Sequence, residues 1–333
     1  MGLVLHFGIL FLNLTLKNNL NYPATSLAGS RTTWREFVVA ALISGGYLLL
    51  SFLLIGFKTD QLFLVTIFSA LYLASTGTRK FIIGFSIFIV YWIIFDYMKA
   101  FPNYAFNDVH IKSLYDMELR WFGIMYEGKL VTPNEYFLAN NSTWVDIMCG
   151  LFYLCWVPVP LAFAAFLYFK NRSEFIKFSL TFLFVNILGF IVYYLYPAAP
   201  PWYIQLHGVD FYAHTPGNTA GLIRFDAFFD VQIFQALYAK SSNVFAAMPS
   251  LHSSYPLIVT FYGIKNKLGW VNIIFITVSI GIWFAAVYTS HHYILDVLAG
   301  VVIALVGILS FLTLVKRNGE FRNFISYYAK SIS

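Results

Sequence analysis

Residues 288–315 read YTSHHYILDVLAGVVIALVGILSFLTLV, a short polar start followed by a long apolar run. A helix needs about 20 predominantly apolar residues to cross the roughly 30 Å hydrocarbon core of a membrane. The run from residue 292 onward meets that length, and Asp296 is the one charged residue within it. The stretch therefore predicts a transmembrane helix that carries His292 and Asp296 in its first turn.

The composition of the whole chain places it in the same class. Hydrophobic residues make up 59% of the 333 residues and charged residues 11%, whereas soluble domains have about 45–50% and about 25%. We predict an all-α polytopic membrane protein with eight spans, the second and sixth of them short, at residues 36–57, 61–75, 81–101, 145–169, 175–196, 247–264, 269–289 and 292–315.

These spans divide the chain into three predicted parts. Residues 80–316 form a six-span core, residues 1–79 an N-terminal lead with two additional spans, and residues 317–333 a cytoplasmic tail. The stretch 1–16 lacks the basic front end of a secretory signal and is too short for a clear span. We expect it to be an interfacial or packed helix.

Basic residues predict the orientation, because Lys and Arg in short loops resist translocation. In the eight-span arrangement they fall on one side, which we assign to the cytoplasm: Arg31, Arg35, Arg79, Lys80, Lys170, Arg172, Lys177, Lys265, Lys267, Lys316, Arg317 and Arg322. The long loops 102–144 and 197–246 then lie on the other face. The net charge of +6 does not indicate nucleic acid, since the basic residues form no stripe with interleaved aromatics.

A second histidine motif, AAMPSLHSSYP at residues 246–256, starts another predicted span. Pro249 suits the first turn of a helix, where its missing N–H costs nothing, so His252 is expected in the opening turn. Both histidine motifs then lie at helix N-termini on the non-cytoplasmic face. The N–H groups and dipole of such termini favour an anion such as a phosphate ester.

His292 and Asp296 are four residues apart, a spacing that puts two side chains on one face of a helix. The carboxylate is expected to accept the ring N–H and fix the imidazole tautomer, which leaves the outer nitrogen free to attack phosphorus. His291 is expected to point elsewhere.

Two other interpretations of these motifs stay open. Each histidine can simply bond a neighbouring carbonyl, with the His/Asp pair acting as a structural staple. A metal site built from His252, His291, His292 and Asp296 is chemically conceivable, but adjacent histidines rarely converge on one ion from a helix. We expect neither a metal nor a cofactor.

The two motifs also carry a family resemblance. PSLH at 249–252 and HYILD at 292–296 resemble the second and third motifs of the type 2 phosphatidic acid phosphatase superfamily, whose six-span core holds both histidines on one face. Four blocks resemble the fungal inositol phosphorylceramide synthases and their bacterial relatives: YPAAPPWY (196–203), PGNTAGLIRFD (216–226), FAAMPSLHS (245–253) and YTSHHYILDVLAG (288–300). The resemblance implies His252, His292 and Asp296 as the catalytic residues.

The chain departs from the superfamily at its cations. It contains no Arg-Pro dipeptide, and Ala286 stands where an arginine usually precedes the second histidine by six residues. Arg224 and Lys240 are then the candidate phosphate ligands, although Arg224 is equally expected to pair with Asp226 or Asp230.

Within the resembling blocks, Ser250, Trp202 and Tyr203 are the further candidates for binding substrate. The two aromatic residues are expected either to shape a lipid headgroup pocket or to belong to the interfacial aromatic belt. Because residues 198–203 contain two successive prolines, we expect an extended segment there rather than a helix.

The resemblance implies a lipid phosphotransferase. A phospholipid such as phosphatidylinositol would pass its phosphorylated headgroup to His292, with His252 as acid and then base, and a ceramide-type lipid would accept it. With water as acceptor, the same residues would make a lipid or isoprenoid phosphate phosphatase. A non-catalytic transporter or scaffold is a second alternative. The expected location is a bacterial inner membrane, with the site on the periplasmic face, and a Golgi-type membrane is the alternative.

Overall fold

The computed structural model describes residues 33–240 and 243–333, so the helix predicted for residues 1–16 lies outside the described residues. The described part is almost entirely helical, with one β-hairpin. Its elements are α1 (Trp34–Ile55), α2 (Thr59–Ala74), α3 (Thr76–Tyr97), α4 (Lys112–Phe122), β1 (Ile124–Tyr126), β2 (Lys129–Val131), α5 (Pro133–Ala139), α6 (Thr143–Leu154), α7 (Pro158–Lys170), α8 (Arg172–Leu195), α9 (Pro201–His207), α10 (Ile223–Phe229), α11 (Ile233–Tyr238), α12 (Leu251–Lys265), α13 (Val271–Tyr288), α14 (Ile294–Arg317) and α15 (Gly319–Ser331).

All eight predicted apolar runs are helical, which confirms the prediction of an all-α polytopic membrane protein. Among the described residues, six helices are long and apolar enough to cross a membrane, if α3 is taken with its 3₁₀ extension to Ala100 and α6 is joined to α7. The helices α2 and α12 are shorter, as the sequence predicts for the second and sixth spans.

The fourth predicted run is not one continuous helix. Helix α6 ends at Leu154, residues 155–157 form a turn, and α7 begins at Pro158. The break has a steric cause, because the proline ring clashes with the preceding turn of a helix but fits the first turn of a new one. As a result, Trp156 lies in the turn between two helices.

Hydrogen bonds between aromatic and polar side chains join α3, α8 and α12 in the middle of the bundle. The hydroxyls of Tyr91 and Tyr255 are 2.9 Å apart, and Tyr255 Oη donates to Asn186 Oδ1 at 2.7 Å. Thr181 and Tyr262 are joined in the same way at 2.8 Å. In a membrane such interhelical bonds and close packing hold helices together, because lipid tails are as apolar as the helix surfaces.

The two long loops fold over one end of the bundle. Their chains meet where Ala198 and His110 form a parallel bridge, and Lys240 contacts Asp60 at the start of α2. In the loop 102–144, β1 and β2 pair antiparallel across a turn in which Gly128 has a φ of 76°. At the opposite end of the bundle, Glu174 pairs with both Lys177 and Lys265. This arrangement agrees with the predicted alternation of the spans.

The N-terminal helices and the C-terminal segment both pack against the central helices. Ser51 Oγ lies 2.9 Å from Tyr97 Oη, and Arg79 of α3 pairs with Glu36 of α1. The segment predicted as a tail forms helix α15, whose Tyr328 hydroxyl donates to the Ile83 carbonyl at 2.8 Å. The division into 1–79, 80–316 and 317–333 stays a prediction.

Candidate active site

The segment between α13 and α14 carries His291 and His292, and several parts of the chain hold it in place. The N–H of Gly221 donates to the Thr289 carbonyl at 2.9 Å, and the N–H of Trp202 donates to the Ser290 carbonyl at 3.1 Å. Ser290 itself has a φ of 60°, a left-handed conformation that is unusual for a residue with a side chain. Two parts of the loop 197–246 therefore contribute to the shape of this segment.

Asn134 fixes the same segment from the other loop. Its side-chain amide is buried and donates to the carbonyls of Val287 and His292, at 2.8 and 2.9 Å. Two hydrogen bonds from one amide bridge the end of α13 to the short segment before α14. The backbone of His292 is therefore held independently of its ring.

His292 and Asp296 lie together, but not for the reason that their spacing suggests. His292 precedes α14, which begins at Ile294, so the expectation that the two share a helix face is wrong. Asp296 is the third residue of the helix, and its Oδ2 accepts the N–H of the N-cap residue Tyr293 at 2.8 Å, as the third helical residue does in a capping box. The same oxygen lies 3.5 Å from His292 Nδ1. The carboxylate thus caps the helix and faces the imidazole at once.

A second buried carboxylate supports the same helix end. Glu118 of α4 accepts the N–H groups of Ile294 and Leu295 at 2.9 and 3.1 Å. Burial raises the pKa of Glu118 to about 7, although its two N–H contacts favour the ionised form. The N–H groups at the start of α14 are therefore bound by Glu118 of α4 and by Asp296 of α14 itself.

The start of α12 is docked directly onto α14. Ser250 precedes the helix, and its N–H donates to the carbonyl of Asp296 at 2.9 Å. Gly300 makes this approach possible, because a Cβ there would lie 2.1 Å from the Ser250 carbonyl oxygen. Pro249 lies outside the helix, so its predicted place in the first turn is wrong, whereas His252 does lie in the opening turn.

This docking brings the two candidate catalytic histidines into contact. His252 Nδ1 lies 3.3 Å from His292 Nε2 and 3.0 Å from the hydroxyl of Tyr153. A neutral imidazole has one donor and one acceptor nitrogen. If Asp296 holds the proton on His292 Nδ1, His292 Nε2 is an acceptor and His252 Nδ1 must donate to it. His252 Nε2 is then left as a free base.

The environment keeps His292 uncharged. It is 6% exposed, and burial lowers its pKa from 6.5 to about 4, because a desolvated site disfavours the charged form. The neutral ring retains the lone pair that an attack on phosphorus needs. The arrangement places a neutral imidazole between a carboxylate and a second imidazole, groups that could serve as nucleophile, orienting partner and acid or base in covalent group transfer.

His291 is directed away from this pair. Its Nε2 lies 3.0 Å from the Thr219 carbonyl, and its ring stacks on Tyr238 with centroids 4.4 Å apart. The metal alternative requires His291 and His292 to converge, and they do not. The described residues hold no group of three or more His, Cys, Asp and Glu side chains arranged for a metal ion.

Arg224 has a different partner from the two that the sequence suggests. Its Nε donates to Asp146 Oδ1 of α6 at 2.6 Å, so the expected pairing with Asp226 or Asp230 is wrong. Asp226 instead accepts the N–H groups of Phe234 and Gln235 at the start of α11. The Nη2 of Arg224 is buried and has no hydrogen-bond partner among the described residues.

The other candidate ligands are placed in several environments. Lys240 is 65% exposed and contacts both carboxylate oxygens of Asp60, at 3.0 and 3.1 Å. Ser250 is buried, and its hydroxyl accepts from Ser253 at 3.1 Å. Their roles in binding substrate stay predictions.

Trp202 and Tyr203 lie in a helix, because α9 begins at Pro201. The expectation of an extended segment over 198–203 therefore holds only as far as Pro200, and the second proline starts the helix instead of preventing it. Both aromatic side chains are buried, so neither belongs to an exposed interfacial belt. The Tyr203 hydroxyl donates to the Asp210 carbonyl and accepts the N–H of Tyr212, and so shapes the following loop.

Sequence reasoning missed three residues that contact the site: Tyr153, Glu118 and Asn134. Tyr153 resembles any other aromatic residue of a span, and Glu118 and Asn134 lie in a loop outside the four blocks. In the structure these three residues stand out because their polar side chains are fully buried. In the sequence no local pattern identifies them. Only Gly300, inside the last block, had a visible signal, since a glycine in a helix often marks a close approach.

The sequence profile of the PAP2 superfamily matches residues 120–310. The chain is 43% identical over 300 residues to the phosphoinositol dihydroceramide synthase of Bacteroides thetaiotaomicron, which covers 90% of this chain and 98% of that protein. It is 30% identical over 178 residues to the inositol phosphorylceramide synthase of Candida albicans, 50% of this chain and 36% of that protein. For the inositol phosphorylceramide synthase catalytic subunit of Saccharomyces cerevisiae, the identity is 27% over 223 residues, 66% of this chain and 53% of that protein. No solved structure matches the chain significantly.

Proposed function

The chain belongs to the PAP2 superfamily, and we propose that it is a membrane phosphotransferase that moves phosphoinositol from a phospholipid to a ceramide-type lipid. The observation that carries the chemistry is the contact between His252 and His292, 3.3 Å apart, with Asp296 behind His292. The activities for which the relatives are named supply the headgroup and the acceptor. In particular, the Bacteroides thetaiotaomicron protein is a phosphoinositol dihydroceramide synthase that matches over nearly its whole length.

In the first step, His292 Nε2 attacks the phosphorus of the donor. A nitrogen–phosphorus bond forms, the bond from phosphorus to the diacylglycerol oxygen breaks, and that oxygen takes a proton from His252. For this step His252 must be the imidazolium, having taken up a proton at its free nitrogen when the anionic donor binds; it leaves the step neutral. The two nitrogens are at hydrogen-bonding distance in the free protein, so phosphorus cannot lie between them. The donor must therefore displace the His252 ring toward the leaving oxygen.

In the second step, the primary hydroxyl of the acceptor attacks the phosphorus of the phosphohistidine. His252 accepts the hydroxyl proton, the nitrogen–phosphorus bond breaks, and neutral His292 is restored. Asp296 stabilises His292 by holding its other nitrogen throughout, the role that a carboxylate has beside a catalytic imidazole. The cycle needs only imidazole and carboxylate groups.

For the donor phosphate, Arg224 is the best-placed cation among the candidates. Its Nη2 is buried without a partner, and Gly221, whose neighbours include this guanidinium, is bonded to Thr289 beside the histidines. Arg224 would contribute through charge-assisted hydrogen bonds, with Asp146 fixing its orientation. Lys240, at the same end of the bundle, would attract the phosphate through its charge without contacting it. Trp202 and Tyr203 would shape the headgroup pocket through the loop that they support.

The proposal predicts that turnover depends on the acceptor. Purified protein in mixed micelles should release diacylglycerol from phosphatidylinositol faster when ceramide is added, and should form phosphoinositol ceramide in an amount that matches the diacylglycerol. EDTA should leave the rate unchanged. Lipid mass spectrometry measures both products. Free phosphoinositol as the main product, with or without ceramide, would replace the transferase by a hydrolase that uses the same histidines.

We also propose that the protein lies in a bacterial inner membrane with the histidines at the periplasmic face. The basic residues in alternate loops support this orientation. A cysteine at Ala213, an exposed position in the loop 197–246, should react with an impermeant thiol reagent added to intact spheroplasts. A cysteine at Glu320, at the other end of the bundle, should react only after lysis. The reverse labelling would place the site at the cytoplasmic face.

A further inference from the structure

An apolar groove of about 360 Å³ lies where α2 and α3 meet α7. This volume is within the range of small-ligand pockets, roughly 300–1,000 Å³. Ile67, Trp92 and Leu161 line the groove and are 39%, 49% and 37% exposed, so it opens sideways toward the space that lipid occupies. Its walls are hydrocarbon and aromatic rings, and a ligand for it must be hydrocarbon.

The only hydroxyls on the groove's wall are those of Tyr91 and Tyr255, and both are already engaged. They lie 2.9 Å apart, and Tyr255 also donates to Asn186. A polar ligand would therefore find no free hydroxyl on this wall, and the surface that faces the groove is almost entirely apolar. Burying its polar groups there would cost free energy without a compensating hydrogen bond.

One end of the groove reaches the candidate active site. Trp156, in the turn between α6 and α7, lines the groove, and its ring centroid lies 4.5 Å from that of His252. Tyr255 lines it too and stacks on Trp156, with centroids 5.9 Å apart. A single indole thus separates the hydrocarbon groove from the imidazole that we propose as acid and base.

The groove runs along the bundle away from the histidines. Trp92 lies toward the end of α3 that leads into the loop 102–144, and Phe81 lies toward the opposite end. The helix between them rises by roughly 16 Å at 1.5 Å per residue. This is about half of the roughly 30 Å hydrocarbon core, the depth that the chain of a lipid in one leaflet covers.

We propose that this groove holds a hydrocarbon chain of the acceptor lipid, and that α2 thereby forms part of the substrate site. The inference rests on the proposed function. The donor carries a phosphate that helix N-termini and Arg224 attract. The neutral acceptor offers a hydroxyl and its hydrocarbon, so its binding free energy has to come mainly from apolar contacts. The groove supplies those contacts beside His252, where the acceptor hydroxyl must lose its proton.

The test is a substitution that fills the groove at a distance from the histidines. Leu64 of α2 lines the groove, and Leu64→Trp should occupy part of it. Each buried methylene is worth roughly fourfold in affinity, so the loss of a few should raise the KM for a long-chain ceramide by about tenfold or more. The KM for phosphatidylinositol and the KM for a ceramide analogue with truncated chains should not change.

The matched control is Leu62→Trp, on the same helix. Leu62 is 44% exposed and does not line the groove, so this variant adds the same side chain on the lipid-facing side and should retain the long-chain KM. An unchanged long-chain KM in folded Leu64→Trp protein would overturn the inference. A rise in the donor KM alone would overturn it as well, by assigning the groove to the donor.

A second measurement uses the unsubstituted protein. A ceramide with a photoreactive group within its chain should label the helices that line the groove, which are α2, α3, α7, α8 and α12, and excess long-chain ceramide should suppress the labelling. Labelling confined to other helices, in protein that transfers phosphoinositol, would overturn the groove assignment and leave the proposed function standing. Absence of ceramide-dependent transfer in the unsubstituted protein would overturn the proposed function, and this inference with it.

Discussion

Replacing His292 by Ala is expected to lower phosphoinositol transfer by about four to six orders of magnitude, because no other group can form the covalent intermediate. The loss should appear in kcat, and the protein-bound, acid-labile phosphoinositol label formed from donor alone should disappear. The fold should persist, since Asn134 holds the His292 backbone whether or not the ring is present. Rapid-quench labelling with a radioactive donor measures the intermediate directly.

The matched comparison is His291→Ala, which removes the adjacent imidazole. His291 is 4% exposed and stacks on Tyr238, so this variant should lower the thermal midpoint while the kcat of the folded protein stays within about tenfold of the original. An essential His291 together with a dispensable His292 would refute the assignment of the nucleophile.

Substituting Asp296 by Asn is expected to cost about 10⁴-fold in kcat, by analogy with other carboxylate–imidazole pairs in which loss of the charge leaves the wrong tautomer. The structure makes this a sharp test. The amide oxygen of Asn can still accept the Tyr293 N–H, which Asp296 Oδ2 accepts at 2.8 Å, so the cap of α14 should survive. The effect should therefore fall on catalysis rather than on folding.

The readouts for Asp296→Asn are the thermal midpoint, the KM for each lipid and the rate of phosphohistidine formation. We expect the midpoint and both KM values to change little and the formation rate to fall. If the variant keeps its kcat within tenfold, Asp296 serves only as a helix cap. If the midpoint collapses instead, the cap is the dominant role and the catalytic assignment loses its support.

The sequence by itself determined the class of the protein and the chemistry to look for. Span length is a local property, because the thickness of the hydrocarbon core requires a helix of a certain length wherever the chain crosses. The runs that start near His252 and His292 were therefore readable without knowing any contact. The four blocks in residues 196–300 also indicated the family, because short motifs in a fixed order are specific even when each alone is not.

Local rules failed where a residue's role depends on a partner far along the chain. The i,i+4 spacing predicted the pairing of His292 with Asp296 through a shared helix face, yet His292 precedes the helix and the carboxylate reaches it as a cap. Arg224 was expected to pair with an acidic residue nearby in sequence, but it forms its ion pair with Asp146. Periodicity describes the faces of one element and cannot identify what packs against them.

Only the tertiary structure decided how the site is assembled. The close approach at Gly300 lets α12 dock on α14 and brings His252 to His292, and Tyr153 and Glu118 arrive from α6 and α4, far away in sequence. The groove beside Trp156 likewise is lined by residues of α2, α3 and α7 that lie far apart in the sequence. The physical reason is common to all of these. Length and hydropathy fix each helix separately, whereas contacts between helices depend on the joint shape of surfaces that the sequence order does not bring together.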